Sequence, residues 1–349
     1  CSSSRLIINL YLNNWWLDTI WQFSNRQFPE NKKTPTVLFE LAQLLRIQNR
    51  KDEAVKILQE LQWGYPFFIH RHYAMEQLGD IYIETKEYGA AAEVYESLSR
   101  SHMLTDSKRE RDILKKLGRT QHLQGNYLAA QRTYYHALEK SQESTGNDSI
   151  TFELGIILLQ LGNKNQAINK FLDIGEQFPN SSLAREGLAR AGHISFAMND
   201  YPKSVDLYGS LITKYGNPDS LVYGQYAIAL FRTEDFDAGN KIAKSFKKRF
   251  DGSWGPRFDL EVANHYRRIK QYVKALESYK NLAQTDSPLS SEAAYNSAML
   301  LWDRNKVNPS EEGLAQAIEG LNHFVKTYPE SVHLSVVFFH IANHHYSLR

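Results

Sequence analysis

A small residue returns along this chain at Ala54, Ala91, Ala130, Ala167, Ser204, Gly239, Ala275 and Ala317, at intervals of 37, 39, 37, 37, 35, 36 and 42 residues. Self-similarity at such a period marks a stacked array of like units, not one globular core. Twelve residues before most of these positions lies a second small residue: Ala42, Gly79, Gly118, Gly155, Gly192, Ala227 and Ala263. Four residues after them lies a bulky one (Leu58, Tyr95, Tyr134, Phe171, Tyr208, Tyr279, Leu321), with Ala243 the exception. Three before is often an aromatic: Tyr88, Tyr127, Tyr201, Phe236 and Tyr272. Two helices that cross at short distance need a small side chain at the contact and bulky neighbours in the flanking holes. Each unit is therefore expected to be a helix pair.

The punctuation agrees. Gly125-Asn126 and Gly162-Asn163 supply residues that tolerate the left-handed conformation ending a helix. Asn199-Asp200 ahead of Tyr201-Pro202 puts a capping residue and a first-turn proline where a second helix should begin. Pro66, Pro179 and Pro329 are placed to stop the second helix. In the eighth unit the first helix is expected over about residues 291–304, followed by an insertion, 305–312, before the helix bearing Ala317. One more helix is expected over 331–347.

Composition narrows the partner. With 41 basic and 39 acidic residues the net charge is +2, which lacks the concentrated basic excess of a nucleic-acid binder. No phosphate loop, GxSxG elbow, HExxH or CxxC pair is present, so no enzyme, cofactor or small-molecule substrate is expected. His340 and His344 lie one helical turn apart, without an acidic residue in that helix to complete a metal set. The single cysteine is Cys1, which rules out an internal disulfide framework. Trp15, Trp16 and Trp21 fit either burial under the first full unit or contact with a membrane interface.

In Thr151 to Pro179 the order Leu154, Gly155, Leu158, Ala167, Phe171, Ile174, Pro179 resembles the tetratricopeptide repeat, whose period is 34. The resemblance covers roughly residues 35–329. It implies an all-α, right-handed superhelical solenoid of eight such helix pairs with capping helices at both ends. Residues 1–34 would be an anchor, a cap or a degenerate repeat, and 330–349 a capping helix or truncated repeat. The Phe178–Ser181 and Tyr328–Ser331 junctions resemble those of bacterial envelope repeat proteins. That likeness implies a non-enzymatic adaptor in the periplasm, lipidated at Cys1 and attached to the outer membrane, with a cytoplasmic location as the alternative.

In this family the first helix of each pair lines a groove, and carrying the groove positions over gives a graded face. Glu76 and Asp80 stand beside Lys115, Arg119 and His122; then come Phe152, Ile156 and Leu159, His193 and Phe196, and Ile228 and Phe231. Contiguous exposed apolar area marks an interaction site. The apolar members fit two readings, a groove for a partner peptide or helix and core covered by packing. The Lys, Asn and Arg set with which chaperone-binding members grip a peptide carboxylate is incomplete, since Leu260 stands where Lys is needed although Asn264 fits. Two other functions stay open: a polysaccharide-binding periplasmic module of an exopolysaccharide export system, and the regulatory region of a larger protein.

Overall fold

The computed structural model describes residues 34–347, apart from 102–103, 105, 141–145, 217–218 and 251–253. The readings placed on Cys1, Trp15, Trp16, Trp21 and the N-terminal anchor or cap lie outside the described residues. Among the described residues every regular element is a helix, and within each of two compact units neighbouring helices pack on one another.

The pairs are α1 (Thr34–Ile47) with α2 (Lys51–Gly64), α3 (Arg71–Glu84) with α4 (Tyr88–Ser99), α5 (Ser107–Leu123) with α6 (Tyr127–Glu139), and α7 (Asn147–Gln160) with α8 (Lys164–Gln177). They continue as α9 (Ser182–Ala197) and α10 (Tyr201–Tyr215), α11 (Ser220–Arg232) and α12 (Phe236–Arg249), α13 (Gly255–Arg268) and α14 (Tyr272–Ala283), α15 (Ser290–Val307) and α16 (Glu311–Thr327). A single helix, α17 (Leu334–Ser347), follows. The chain divides into two compact units, residues 1–187 and 188–349.

Seven of the eight pairs turn through one corner. The residue at the end of the first helix takes a left-handed conformation: Asn49, Lys86, Gly125, Gly162, Asn199, Glu234 and Lys270, with φ between 60° and 80°. The next residue reaches back five positions, as in Arg50 N to Leu45 O (2.9 Å) and Asn126 N to Gln121 O (2.8 Å), which occupies carbonyls the helix end leaves open. The same residue begins the second helix, and Asp200 and Asp235 also cap it with their side chains, accepting from Lys203 N and Ala238 N. The small residue of helix two follows five positions after each left-handed residue, so the corners keep the sequence's own intervals.

Where a proline closes a pair, helix two ends two residues earlier, at Gly64, Gln177 and Thr327. The intervening Tyr65, Phe178 and Tyr328 adopt φ −126°, −129° and −128°, as a residue before proline must. The eighth pair departs from expectation. Asn305 to Val307 extend α15 by a turn instead of forming loop, and Ser310 then caps α16 through Gly313 N.

The small first-helix residues are needed for close approach. A Cβ on Gly79 would stand 2.6 Å from the Tyr95 ring, and one on Gly192 2.5 Å from the Tyr208 ring; Gly118 meets Tyr134 and Gly155 meets Phe171 in the same way. The sixth pair inverts the arrangement. Ala243 leaves the ring position empty, and Phe231 of the first helix fills it, its ring 2.7 Å from where a Cβ on Gly239 would lie.

Candidate interaction face of the first helices

The small residue of each first helix decides where its successor points. In three pairs that successor meets the hydroxyl of the buried tyrosine fifteen positions on. Tyr95 Oη donates to Asp80 Oδ1 (2.5 Å), and Tyr279 Oη donates to Asn264 Oδ1 (2.6 Å). His193 Nδ1 lies 2.8 Å from Tyr208 Oη and 2.6 Å from Gln225 Oε1. Two rungs also draw a polar group from the next first helix: Lys116 onto Asp80 and Gln225 onto Tyr208. Where the ring is Phe171 the successor is Ile156, and where it is Ala243 the successor is Ile228, so no hydroxyl needs a partner there.

The remaining rung is open. Tyr134 is fully buried, and its Oη makes no hydrogen bond. Its successor residue is Arg119. Burial, then the Glu153 carboxylate, raise the Tyr134 phenol far above its usual range, and Arg119 opposes them weakly. The hydroxyl therefore stays protonated and is available as a donor.

The structure redistributes the charged residues expected on this face. Glu76 and Asp80 do not pair with Lys115 and Arg119. Lys116 Nζ binds both acids, at 2.8 Å and 2.7 Å, and Arg109 binds Glu76 at 2.9 Å while its guanidinium lies 3.7 Å over the Tyr73 ring. Neither Lys116 nor Arg109 was expected from groove position, because both reach across from the neighbouring pair. Lys115 donates to Ser149 Oγ at 2.7 Å and has no acidic partner, and exposed Arg119 makes no ion pair among the described residues. His122 packs on Tyr127 with Glu153 3.9 Å away. The first unit thus carries two cations and one orphan phenol on α5 and α6, next to α7.

The apolar run does not form one open groove. Phe152 is buried edge-on against Phe171, with ring centroids 5.4 Å apart. Ile228 and Phe231 are core, 4% and 1% exposed. Of the two readings open for them, core holds: Phe231 replaces the ring that Ala243 lacks, and Ile228 joins its cluster. Ile156, Leu159 and His193 remain half-buried, as does Phe196, which stands edge-to-face on Tyr201 at 5.6 Å. Ala243, the exception to the bulky series, is the sequence signal for the burial of Phe231.

His340 packs on Trp302, centroids 5.1 Å apart, while His344 and His345 tilt against each other. Among the described residues no three His, Cys, Asp or Glu side chains are grouped to hold a metal, and no described helix is long and apolar enough to cross a membrane.

These corners, rungs and buried small residues define a helix-pair repeat protein that presents the faces of its first helices. Models of the tetratricopeptide repeat match residues 36–67, 72–99 and 151–181, which are the pairs α1–α2, α3–α4 and α7–α8. Of the pairs between and after them, all but α15–α16 share the same corner, and the chain is a tetratricopeptide-repeat protein. Such repeats are in general non-catalytic interaction modules, which makes the chain a protein–protein interaction scaffold. No curated protein matches it in sequence. Among solved structures it is similar to a tetratricopeptide repeat protein from Parabacteroides merdae (17% identity, 74% of this chain and 96% of that one, TM-score 0.45). It is also similar to the C-terminal part of a repeat-containing protein from Cytophaga hutchinsonii (15%, 81% and 99%, TM-score 0.46). A third is YrrB, described as having an unusual peptide-binding site (18%, 61% and 99%, TM-score 0.43).

Proposed function

We propose that the chain is a non-enzymatic adaptor of a bacterial cell-envelope assembly, held at the membrane by acylation of Cys1, and that the α5–α7 face takes an acidic segment of a partner protein. The observation that carries the second part is the pair of cations on α5: Lys115 donates to Ser149 Oγ without an acidic partner, and exposed Arg119 makes no ion pair among the described residues. They supply charge complementary to a partner carboxylate, and half-buried Ile156 and Leu159 on α7 supply the apolar strip for an amphipathic segment. The acidic group envisaged is a side chain within the segment. The end-of-chain carboxylate grip remains incomplete, because Leu260 stands where Lys is needed.

The test is a titration of fluorescently labelled amphipathic peptides, each with one or two glutamates, in free-acid and C-terminally amidated forms. Amidated peptide should bind as well as free acid, and Arg119→Glu should weaken binding at least tenfold with unchanged helical circular dichroism. Equal affinity in wild type and variant would sink the assignment. Anchoring through Cys1 rests on the likeness of the Phe178–Ser181 and Tyr328–Ser331 junctions to those of bacterial envelope repeat proteins. Incorporation of a palmitate analogue during expression of the precursor, abolished in Cys1→Ser, is the expected result; label persisting in Cys1→Ser removes this part of the proposal.

A further inference from the structure

The link from the first pair to the second, residues 63–69, reads Trp-Gly-Tyr-Pro-Phe-Phe-Ile. Its side chains divide between core and solvent. Tyr65 and Phe68 pack onto the hydrophobic core of the first unit. Phe68 meets the Phe39 ring edge-on, centroids 6.1 Å apart, and the His70 ring touches both. Phe67 and Ile69 flank Phe68 in sequence and stand in solvent instead. Phe67 is 99% exposed, and Ile69 and Trp63 are each 77% exposed. Two turns fold the link on itself, Phe68 N donating to Tyr65 O and Arg71 N to Phe68 O, both at 3.0 Å. Arg71 Nε also donates to Gln62 O at 2.9 Å, which ties the two ends of the link together. The result is a braced apolar projection.

The chemistry of the projection selects what receives it. Exposed apolar side chains gathered in one place mark an interaction site. Phe67 lines no groove, so the partner must admit the tip and not the reverse. Over residues 63–69 the side chains carry only two polar groups, the Trp63 indole N–H and the Tyr65 hydroxyl. A protein–protein contact is fixed by a polar rim of directional hydrogen bonds, for which this tip has few groups. The interfacial region of a bilayer asks for none, and it favours Trp and Tyr, whose rings are apolar at one end and wet at the other. Charge agrees. No Asp or Glu occurs from residue 61 to residue 75, while His70, Arg71 and His72 stand directly behind the tip. Glu76, just beyond, is already bound by Lys116 and Arg109. An apolar tip with a basic collar suits anionic headgroups over an acyl layer.

We infer that the 63–69 link is a membrane-contact wedge. Phe67 and Ile69 enter the acyl edge of an anionic phospholipid bilayer, and Trp63 lies among its headgroups. The contact is made by the folded chain itself, and it does not rest on acylation of Cys1.

The full chain carrying Cys1→Ser, which cannot be acylated there, should float with vesicles of phosphatidylethanolamine and phosphatidylglycerol. Adding Phe67→Ser and Ile69→Ser together should lower its partition coefficient at least tenfold with unchanged circular dichroism, since both side chains are exposed. In the same background, an environment-sensitive fluorophore on Phe67→Cys should shift to the blue when vesicles are added. The same label on Gln124→Cys, at the exposed corner between α5 and α6, should not shift. A Cys1→Ser chain that stays with the aqueous fraction overturns the inference. So does equal flotation of the double variant, which would assign the contact elsewhere, Trp15, Trp16 and Trp21 included. A label at position 67 that stays in water while the chain floats overturns it as well.

Discussion

At Lys86, Glu234 and Lys270 the backbone stands at φ 65°, 67° and 62°, a region where a Cβ crowds the following carbonyl. Glycine holds the same corner at Gly125 and Gly162 without that cost. Lys86→Gly and Glu234→Gly should each stabilise the fold by about 1 kcal/mol, less the entropy glycine adds to the unfolded chain, and Gly162→Ala should destabilise it by a similar amount. Urea midpoints at constant m-value measure all three. The two tyrosine rungs make an opposed pair. Tyr95→Phe leaves the Asp80 carboxylate with Lys116 alone and should cost about 1.5–3 kcal/mol, because a hydrogen bond to a charged group is lost. Tyr134→Phe removes a buried hydroxyl that has no partner, and should be neutral or stabilising. A loss of stability in Tyr134→Phe equal to that in Tyr95→Phe would mean the rung is closed.

At the scale of the helix pair, the period was readable because the corner and the small residue are locked five positions apart, so one sequence interval reports both. Lys86, Glu234 and Lys270 gave no signal as corner residues, since their side chains do not favour a left-handed backbone and only tertiary packing holds them there. Groove position identified Glu76, Asp80, Lys115 and Arg119 as neighbours on one face, but it does not tell which side chain reaches which, and Lys116 and Arg109 are the ones that bind the two acids. For Phe231 the two readings, groove and core, were both open, and the vacancy at Ala243 decides for core by drawing the ring inward onto Gly239. Phe231→Ala should therefore cost about 3–5 kcal/mol, the range for emptying a buried aromatic site. Hydrogen exchange should locate the loss in residues 188–349. Phe196→Ala, at a half-buried ring, should cost distinctly less.

In an array whose pairs touch only their neighbours, stability is a sum of local terms, and the two compact units need not respond alike to a change of solvent. Acid offers the sharpest contrast. Burial, helped by the Arg109 guanidinium, lowers the His72 pKa below its ordinary 6.5 in the first unit, against the opposing pull of Glu76. In the second unit burial and Arg268 lower that of His265, whose ring stacks on Phe236 at 3.8 Å, against Glu234 and Asp237. A lowered histidine pKa means that the unfolded chain binds the proton first. The stability each ring contributes is present above pH 6.5 and is lost as the pH falls through that value to the folded pKa. The first unit has a further step. Hydrogen bonds from Arg50 to Glu53 and from Arg46 to Glu84 lower both carboxyls below 4.5, and that contribution is present above pH 4.5 and lost as the pH falls through the folded values. Both units should weaken below pH 6.5, and the first should weaken again below pH 4.5. His265→Gln should flatten the upper step in residues 188–349 alone, and Glu84→Gln the lower step in residues 1–187 alone. Exchange protection followed by mass spectrometry across that pH range resolves the two units. A single step shared by both, shifted equally by either substitution, would show that the array unfolds as one body.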